Sequence, residues 1–377
     1  MPANMALNLV SKVMNWDETA EPREYRWLKL MSDAKFDGYA DYRAGIRFSE
    51  NLAAWLKQFD PEDRDVAYRF VRNRLIYISP AEMQQLIEAF VPEIVTRQIR
   101  ERAAKELGVE PYEVWCNAES DLKFQQMLRR TLFVGMSDGS RIDVLRRANI
   151  DRLTTEQIVP SMSIDHAKWV SLGGKLAKDK LGGGPLTKFD HVYLIDDFTA
   201  SGTTFIRETD DGWDGKLYKF NKAIANARNL FQPGEFPLAE NFTLHIHHYL
   251  SSEQAGSALR ERVKKAEKLP DKQFGKAYVT EGLLLPPDTK MSDVTDSEML
   301  RLCDKYYDHQ LFVQLQKHCE EAGQSHMRYG YADCALPIIL DHNTPNNSLS
   351  ILWADTQNNT NGAHPMRPLF YRRNRHG

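Results

Sequence analysis

Cysteine is scarce in this sequence of 377 residues. Its four cysteines, Cys116, Cys303, Cys319 and Cys334, are scattered along the chain and form no C-x-x-C pair. This excludes a small secreted domain held together by disulfides, and it provides no cysteine framework for a zinc site. We expect buried thiols in a reducing cytosol, and therefore a cytoplasmic protein.

Long apolar runs and a strong net charge are absent as well. No stretch reaches the roughly 20 residues that cross a bilayer, and Met1-Pro2-Ala3-Asn4 does not begin a signal-peptide pattern. The formal net charge is only −3, so no overall field draws the chain to nucleic acid or to a membrane. Hydrophobic residues make up 42% of the chain, which is enough for a sizeable globular core.

Helix signals dominate the first part of the chain. Asp60-Pro61-Glu62 is a typical helix start, Ser79-Pro80-Ala81-Glu82 is a capping box, and Pro92 should kink or end the helix that follows. Strand signals begin after Glu113. We therefore predict a helical region over residues 1–110, an α/β domain over residues 111–356 and a polar basic tail over residues 357–377.

Arginines recur on the polar faces of these helices and in the tail. The simplest interpretation of the helices is a solvated face, and the tail is expected to be a mobile or partner-bound arm. The alternative is a docking surface for a protein or nucleic-acid partner. The main arginines concerned are Arg64, Arg69, Arg72 and Arg74 in the helices and Arg367, Arg372, Arg373 and Arg375 in the tail.

The most informative stretch begins as a buried strand. The residues from Val192 to Ile195 are apolar on both faces, as in a parallel sheet, and they end in the two carboxylates of Asp196 and Asp197. Hydroxyl side chains then surround Gly202, which would let the backbone approach a ligand closely. Such strands deliver their carboxyl ends to the crevice where α/β sheets bind ligands.

These residue types indicate a phosphorylated sugar as the ligand. The hydroxyls, and the N–H groups of the turn if a helix starts there, would form an anion cradle. Asp196 and Asp197 suit sugar hydroxyls or a hydrated divalent cation beside that anion. The alternative is an ordinary strand–turn–helix with a polar N-cap.

From Val192 to Thr204 the chain resembles the type I phosphoribosyltransferases, whose signature is an apolar strand, two acidic residues and a Thr/Ser-Gly-x-Thr loop. The resemblance implies that Asp196 and Asp197 are the catalytic and Mg²⁺-binding residues and face the ribose hydroxyls. The 5-phosphate would be held by Thr199, Ala200, Ser201, Gly202, Thr203 and Thr204. The sequence departs from the signature at Phe198 and Thr199, where aliphatic residues are usual, but every ligand-facing position is filled.

A second strand–turn–helix lies at Leu132 to Ala148, with a turn rich in glycine and serine. In the phosphoribosyltransferases a comparable early turn holds the pyrophosphate. The resemblance makes Ser137, Asp138, Gly139, Ser140 and Arg141 the candidate contacts, and Arg141 would pair with a phosphate through two hydrogen bonds. The alternative is a solvent-facing turn without a ligand.

A glycine- and lysine-rich segment over residues 165–190 precedes the signature strand. The phosphoribosyltransferases have a mobile loop at this point that closes over the reaction. We therefore expect residues 173–185 to be mobile, with His166, Lys168 and Lys175 as diphosphate contacts. A plain flexible connection is the alternative.

Near the end of the chain, Asp341-His342-Asn343 and the residues after it lie between two apolar stretches. This segment would recognise a base or, alternatively, satisfy its own backbone as an Asx-rich turn. Together with the acidic strand and the helical N-terminal region, it resembles the phosphoribosyltransferase-like proteins of bacterial conflict systems, which implies a role in antiviral defence.

The resemblance implies an α/β fold with a mostly parallel sheet of the phosphoribosyltransferase type, flanked by helices. It implies an enzyme that binds phosphoribosyl pyrophosphate and Mg²⁺ and transfers or hydrolyses the phosphoribosyl group. The alternative is a catalytically inactive module on the same fold that senses a nucleotide or binds a partner. No residue stands out as the general base.

Overall fold

The computed structural model describes residues 2–42, 45–161, 164–209, 212–320, 322–356 and 365–372. The α-helices in these ranges are α1 Ala3–Met14, α2 Ala20–Ala34, α3 Phe48–Leu56, α4 Arg64–Asn73, α5 Pro80–Ala89, α6 Thr96–Leu107, α7 Ala118–Arg129, α8 Ile142–Ala148, α9 His166–Lys178, α10 Lys216–Arg228, α11 Glu253–Ala266, α12 Ser297–Lys305, α13 Gln310–Gln314 and α14 Gln316–Glu320. The strands are β1 Ile76–Ile78, β2 Thr131–Gly135, β3 Ile158–Pro160, β4 Phe189–Thr199, β5 Arg207–Thr209, β6 Gly212–Asp214, β7 Leu238–Ser252, β8 Ala277–Leu285 and β9 Ile338–Leu340. Among the helices so described, none is both long and apolar enough to cross a membrane.

The chain divides into two compact units that do not follow the expected boundaries. One, which we call the terminal unit, combines residues 1–82 with residues 288–377, and the other, the sheet unit, comprises residues 83–287. The terminal unit joins the two ends of the chain because β1 pairs with β9 in parallel, with Ile76 opposite Ile338 and Ile78 opposite Leu340. Such a pairing between distant segments leaves no local mark in the sequence.

The terminal unit has an aromatic core that includes part of the predicted tail. Phe370 is fully buried, and its ring lies 5.1 Å from that of Tyr39 and 5.9 Å from that of Phe48, centroid to centroid. The backbone N–H of Leu369 donates to the carbonyl of Leu352 at 2.9 Å. Residues 365–372 are therefore packed against the unit and do not form an extended arm, because their apolar side chains are buried in its core. Arg373 and Arg375 lie outside the described residues.

The sheet unit contains a parallel five-stranded sheet in the order β3-β2-β4-β7-β8. This confirms the predicted α/β class with a parallel sheet flanked by helices. The predicted strands at Leu132 and Val192 are β2 and β4. Together with β7 they form the centre of the sheet, and their apolar residues are buried on both faces.

Helices cover both faces of this sheet. On one face, Val134, Leu194 and Ile246 belong to an apolar cluster with Trp169 of α9 and Leu259 of α11. The side chains that alternate with them point to the other face. There Tyr193 and Tyr249 meet Phe90, which begins a π-helical turn over Phe90–Val95. This turn separates α5 from α6 and contains Pro92, which has no N–H for the helical ladder, so the predicted break is confirmed.

The histidines of β7 are internal residues rather than rim residues. His245 is 5% exposed and stacks on Tyr193 at 4.2 Å, and the fully buried His247 stacks on Phe90 at 4.1 Å. Burial lowers the pKa of both imidazoles, which are therefore neutral. Because β7 continues beyond them to Ser252, these histidines lie in the middle of the strand. The prediction for the cysteines is corrected in one case, since Cys116 is exposed while the other three are buried.

Candidate functional site

The candidate site lies where β2 and β4 end side by side. These strands are parallel neighbours with Gly135 opposite Ile195, and the N–H of Met136 donates to the carbonyl of Ile195 at 2.8 Å. Along the chain β2 is followed by β3, which pairs with β2 on the side away from β4. In this sheet β4 is followed by β7, which pairs with β4 on the side away from β2. The connections therefore diverge, and they leave the crevice in which parallel sheets bind ligands.

The two aspartates are still part of β4, which extends to Thr199. Strand alternation therefore sends their side chains to opposite faces of the sheet. Asp196 is 4% exposed, whereas Asp197 is partly exposed. The adjacent carboxylates have different environments, and only Asp197 is open to solvent to any extent.

Asp196 is held by two protein donors. The Ser137 hydroxyl donates to its Oδ1 atom, and the Lys216 ammonium forms an ion pair with its Oδ2 atom. Burial is the main cause that raises the pKa of Asp196, and the adjacent carboxylate of Asp197 raises it further. Lys216 and Ser137 act in the opposite direction by stabilising the charged form.

The turn over residues 137–141 lies against both aspartates. Ser137 bonds Asp196, and a Cβ atom added to Gly139 would overlap the Oδ2 atom of Asp197, so glycine is required for this close approach. The buried Ser140 hydroxyl closes the turn by donating to the Ser137 carbonyl at 2.5 Å. Asp138 is exposed, and Arg141 is half-buried with a positive φ of 44°.

Several polar groups of the loop over residues 199–204 form hydrogen bonds with one another. The N–H of Gly202 donates to the Thr199 hydroxyl at 3.2 Å, and the Ser201 and Thr203 hydroxyls lie 2.7 Å apart. Ala200 is buried and Thr204 is exposed. The loop is compact, and Thr203 and Thr204 are its more accessible hydroxyl residues.

Gly202 has a structural role that differs from the expected one. Its φ is +71°, and an added Cβ would lie 3.2 Å from the carbonyl oxygen of Ala255 and 3.3 Å from Nη1 of Arg262. Both of these residues belong to α11. Glycine is therefore needed for the left-handed turn and for packing against this helix, and its approach to a ligand stays a prediction.

No helix starts directly after the loop, so the expected N-terminal cradle of helical N–H groups is wrong for this position. The antiparallel pair β5 and β6 intervenes, and α10 begins only at Lys216. The chain then returns to the loop, because the N–H of Lys216 donates to the Thr204 carbonyl at 3.2 Å and that of Leu217 to the Phe205 carbonyl at 2.9 Å. The first N–H groups of α10 thus bond the loop itself.

Sequence reasoning missed three residues that the fold brings to this site. Lys216 contacts Asp196, the Arg262 guanidinium donates to the Ser201 carbonyl at 3.3 Å, and the Tyr249 hydroxyl donates to the Ser140 carbonyl at 3.2 Å. The only available signal was positional. Lys216 follows a stretch of the sequence rich in aspartate and glycine, and Arg262 lies in a stretch rich in lysine and arginine.

Only the first part of the predicted mobile segment, residues 173–178, is helical, and the remainder lies away from the two aspartates. Gly173 and Gly174 are inside α9, which Asp165 caps by accepting from the N–H of Lys168 at 2.7 Å. The turns over residues 179–188 then lead into the amino end of β4. Asp196 lies seven residues beyond Phe189, about 23 Å along the strand, so these turns are near the amino ends of the strands and far from Asp196.

The segment at Asp341 is part of the terminal unit and bonds within it. The Thr344 hydroxyl lies 2.9 Å from that of Tyr39, the Asn346 amide lies 2.7 Å from His318 Nε2, and the Asn347 amide donates to the Tyr331 carbonyl at 3.1 Å. These contacts favour the alternative to base recognition, in which the polar groups of the segment are used for hydrogen bonds within the protein.

Three arginines in or directly after α4 are also paired inside the terminal unit. Arg69 bonds Asp65 and Glu298, Arg72 bonds Glu24, and Arg74 bonds both oxygens of Asp296. Their charges are neutralised by acids of the same unit, which favours the solvated-face interpretation over a phosphate-binding surface.

A Mg²⁺ ion would find few protein ligands at the candidate site. Among the described residues, no group of three or more His, Cys, Asp or Glu side chains is arranged to hold a metal. Asp197 is the more accessible carboxylate, because both oxygens of Asp196 have protein donors. This set fits a Mg²⁺ ion that keeps several waters and is held largely by substrate phosphates.

Comparison with known proteins identifies a family. The model of the PRTase-CE family, a phosphoribosyltransferase-type family, matches residues 52–372. Neither the curated proteins nor the solved structures yielded a match.

Proposed function

Because the chain belongs to the PRTase-CE family, we propose that it binds phosphoribosyl pyrophosphate with Mg²⁺ and transfers or hydrolyses the phosphoribosyl group. The observation that carries this proposal is the meeting of two strand ends. Asp196 and Asp197 at the end of β4 contact the turn over residues 137–141 at the end of β2. Two carboxylates suited to polyol hydroxyls and a turn suited to an anion are thus adjacent.

The proposed roles follow from this placement. Asp197 accepts hydrogen bonds from the ribose hydroxyls. Asp196 does the same after Ser137 or Lys216 has released it. The 5-phosphate lies against Thr203 and Thr204, the accessible hydroxyl residues of the loop. The turn over residues 137–141, with Arg141, faces the diphosphate.

Such a reaction needs positioning and charge neutralisation more than covalent help from the protein. Pyrophosphate leaves from C1 of the ribose while positive charge develops on the sugar ring, and a nearby carboxylate stabilises that charge. Bound Mg²⁺ supplies neutralisation of the departing diphosphate.

Isothermal titration of the purified protein with phosphoribosyl pyrophosphate, with and without Mg²⁺, tests the proposal. We expect saturable binding that Mg²⁺ strengthens. Release of pyrophosphate, measured in the presence and absence of a cell extract, then separates hydrolysis from transfer to an acceptor. Ribose 5-phosphate and inorganic pyrophosphate are the matched control ligands. If the protein bound neither phosphoribosyl pyrophosphate nor either control ligand, the assignment would be refuted.

The alternative function is a module that binds the same ligand without turnover. It shares the binding prediction and differs in one readout, since no pyrophosphate would be released under any condition. Retained Asp196 and Asp197 support ligand binding under both proposals.

We further propose that the protein acts as an effector of a bacterial antiviral defence system. The support is the resemblance of the acidic strand, the helical N-terminal region and the residues after Asp341 to proteins of such systems. Phage challenge of cells that express the chain tests this role, with Asp197→Asn as the control variant. Equal plaque numbers with and without the wild-type chain would contradict it.

A further inference from the structure

Asp196 already has a cation bound to it in the protein itself. Its side chain is only 5% exposed, and one of its oxygens bonds the Lys216 ammonium, whose side chain is 26% exposed. The other oxygen accepts from the Ser137 hydroxyl. A sugar hydroxyl or a metal ion that approaches this nearly buried carboxylate therefore competes with these two donors.

Lys216 is the donor that can leave. Its backbone is fixed, because it begins α10 and its N–H bonds the Thr204 carbonyl at 3.2 Å. Its ammonium stands at the end of a flexible four-carbon chain and is partly exposed, so it can rotate away without any movement of the backbone. Ser137 is shorter and belongs to the closed turn over residues 137–141.

The direction of that rotation follows from charge. Without Lys216, Asp196 would be a buried carboxylate beside a second carboxylate, which is unfavourable. A cation that arrives with a diphosphate would replace the ammonium at Asp196, and the diphosphate itself would attract the ammonium. Both changes favour the same movement.

We propose that Lys216 is a tethered counter-ion, which neutralises Asp196 in the free protein and moves to the diphosphate of the incoming ligand. This inference rests on the proposed function and adds a positioning residue to it. Lys216 would thereby prevent metal ions from occupying the carboxylates before the ligand arrives.

Binding of Mn²⁺ alone, followed by electron paramagnetic resonance, tests the first half of the proposal. We expect Lys216→Met to bind Mn²⁺ about tenfold more tightly than the wild-type protein, because a competing cation has been removed. Lys216→Arg should bind it as weakly as the wild type. Lys222→Met is the matched control, since Lys222 is exposed on the same helix. Equal Mn²⁺ affinity in Lys216→Met and wild type would overturn the proposal.

Binding of Mg²⁺-pyrophosphate by calorimetry tests the second half. Here Lys216→Met should bind about tenfold more weakly than wild type, because the ammonium that contacts the diphosphate is gone. The two affinities should therefore change in opposite directions: relative to the wild type, Lys216→Met binds the metal more tightly and the diphosphate more weakly. A variant that changes both affinities in the same direction would refute the transfer of Lys216 between the two partners.

A double variant covers the case in which Lys216→Met fails to fold. Asp196→Asn with Lys216→Met removes both charges and should fold, but it should lack the gain in Mn²⁺ affinity and keep the loss in diphosphate affinity. Retention of wild-type diphosphate affinity in this folded variant would overturn the proposal. Failure of the proposed function is a separate result, in which the wild-type protein does not bind phosphoribosyl pyrophosphate although the Mn²⁺ difference between Lys216→Met and wild type is present.

Discussion

Each unit of this protein contains a buried aspartate paired with a lysine, and the two have opposite electrostatic characters. In the terminal unit, Asp63 is 3% exposed and bonds Lys305 and Arg301 at 2.7 Å and Tyr306 at 2.8 Å. Burial would raise its pKa, but these three donors outweigh burial and lower the pKa to about 2.

In the sheet unit, Asp196 is almost equally hidden, but its pKa is raised. The difference is the number of donors and the presence of a second carboxylate. Asp63 bonds two cationic side chains and a tyrosine hydroxyl, whereas Asp196 bonds one cationic side chain and a serine hydroxyl and lies beside the Asp197 carboxylate. A carboxylate kept in an unfavourable state is typical of a ligand site, where binding supplies the missing charge.

The largest expected effect is on ligand binding in the sheet unit. Replacement of both Asp196 and Asp197 by Asn should weaken phosphoribosyl pyrophosphate binding by about 100-fold or more, because two charge-assisted contacts are lost. Titration calorimetry measures this loss. The free energy of unfolding should not fall with it, because the buried carboxylate charges are removed. Asp63→Asn, the matched variant in the other unit, should bind the ligand normally.

The second effect is on stability and belongs to the terminal unit. Asp63→Asn should lower the free energy of unfolding by about 2 kcal/mol, because the cationic partners lose their acceptor. Urea denaturation provides the measurement. Asp60, which also pairs with Lys305 but is exposed, offers the control, and Asp60→Asn should change stability little. A stable Asp63→Asn would mean that the cluster is not structural.

The two aspartates should also give opposite pH dependence of stability. The lowered pKa of Asp63 stabilises the folded state above the unfolded-state pKa of about 3.9, and this contribution is lost as pH falls towards about 2. The raised pKa of Asp196 favours folding below about pH 3.9, and that contribution is lost as pH rises through the folded-state pKa.

Urea denaturation between pH 3 and pH 7 resolves the two contributions. Relative to wild type, Asp196→Asn should gain stability as pH rises, and Asp63→Asn should lose it. Parallel pH profiles for the two variants would contradict the contrast between the units.

The smallest expected effects come from two glycines of the sheet unit. Gly139→Ala should displace the Asp197 carboxylate, which lies against it, and lower ligand affinity about tenfold. Gly174→Ala is the control in α9, where an added Cβ meets nothing within 4 Å, and it should raise stability by about 0.5–1 kcal/mol without affecting binding. Equal ligand affinities for the two variants would separate Asp197 from the ligand site.

Much of the sheet unit could be predicted because its signals are local. Apolar runs without alternation identified the buried strands, and the small residues after them identified the turns. The parallel-sheet rule then places strand ends together, so the meeting of Asp196 with the turn at Ser137 follows from strand order. The course of the chain after Thr204 could not be predicted, since nothing local distinguishes a helix start from the β5–β6 pair that precedes α10.

The sequence by itself determined the central strands β2 and β4, the turn after β2 and the pair of acids, because periodicity and side-chain type act over a few neighbouring residues. Only the tertiary structure decided which charges meet. Lys216 reaches Asp196 because the backbone returns to Thr204, and Phe370 is buried because the end of the chain packs against the helices near its start. Contacts of this kind depend on the shape of the folded backbone, which no local pattern of residues records.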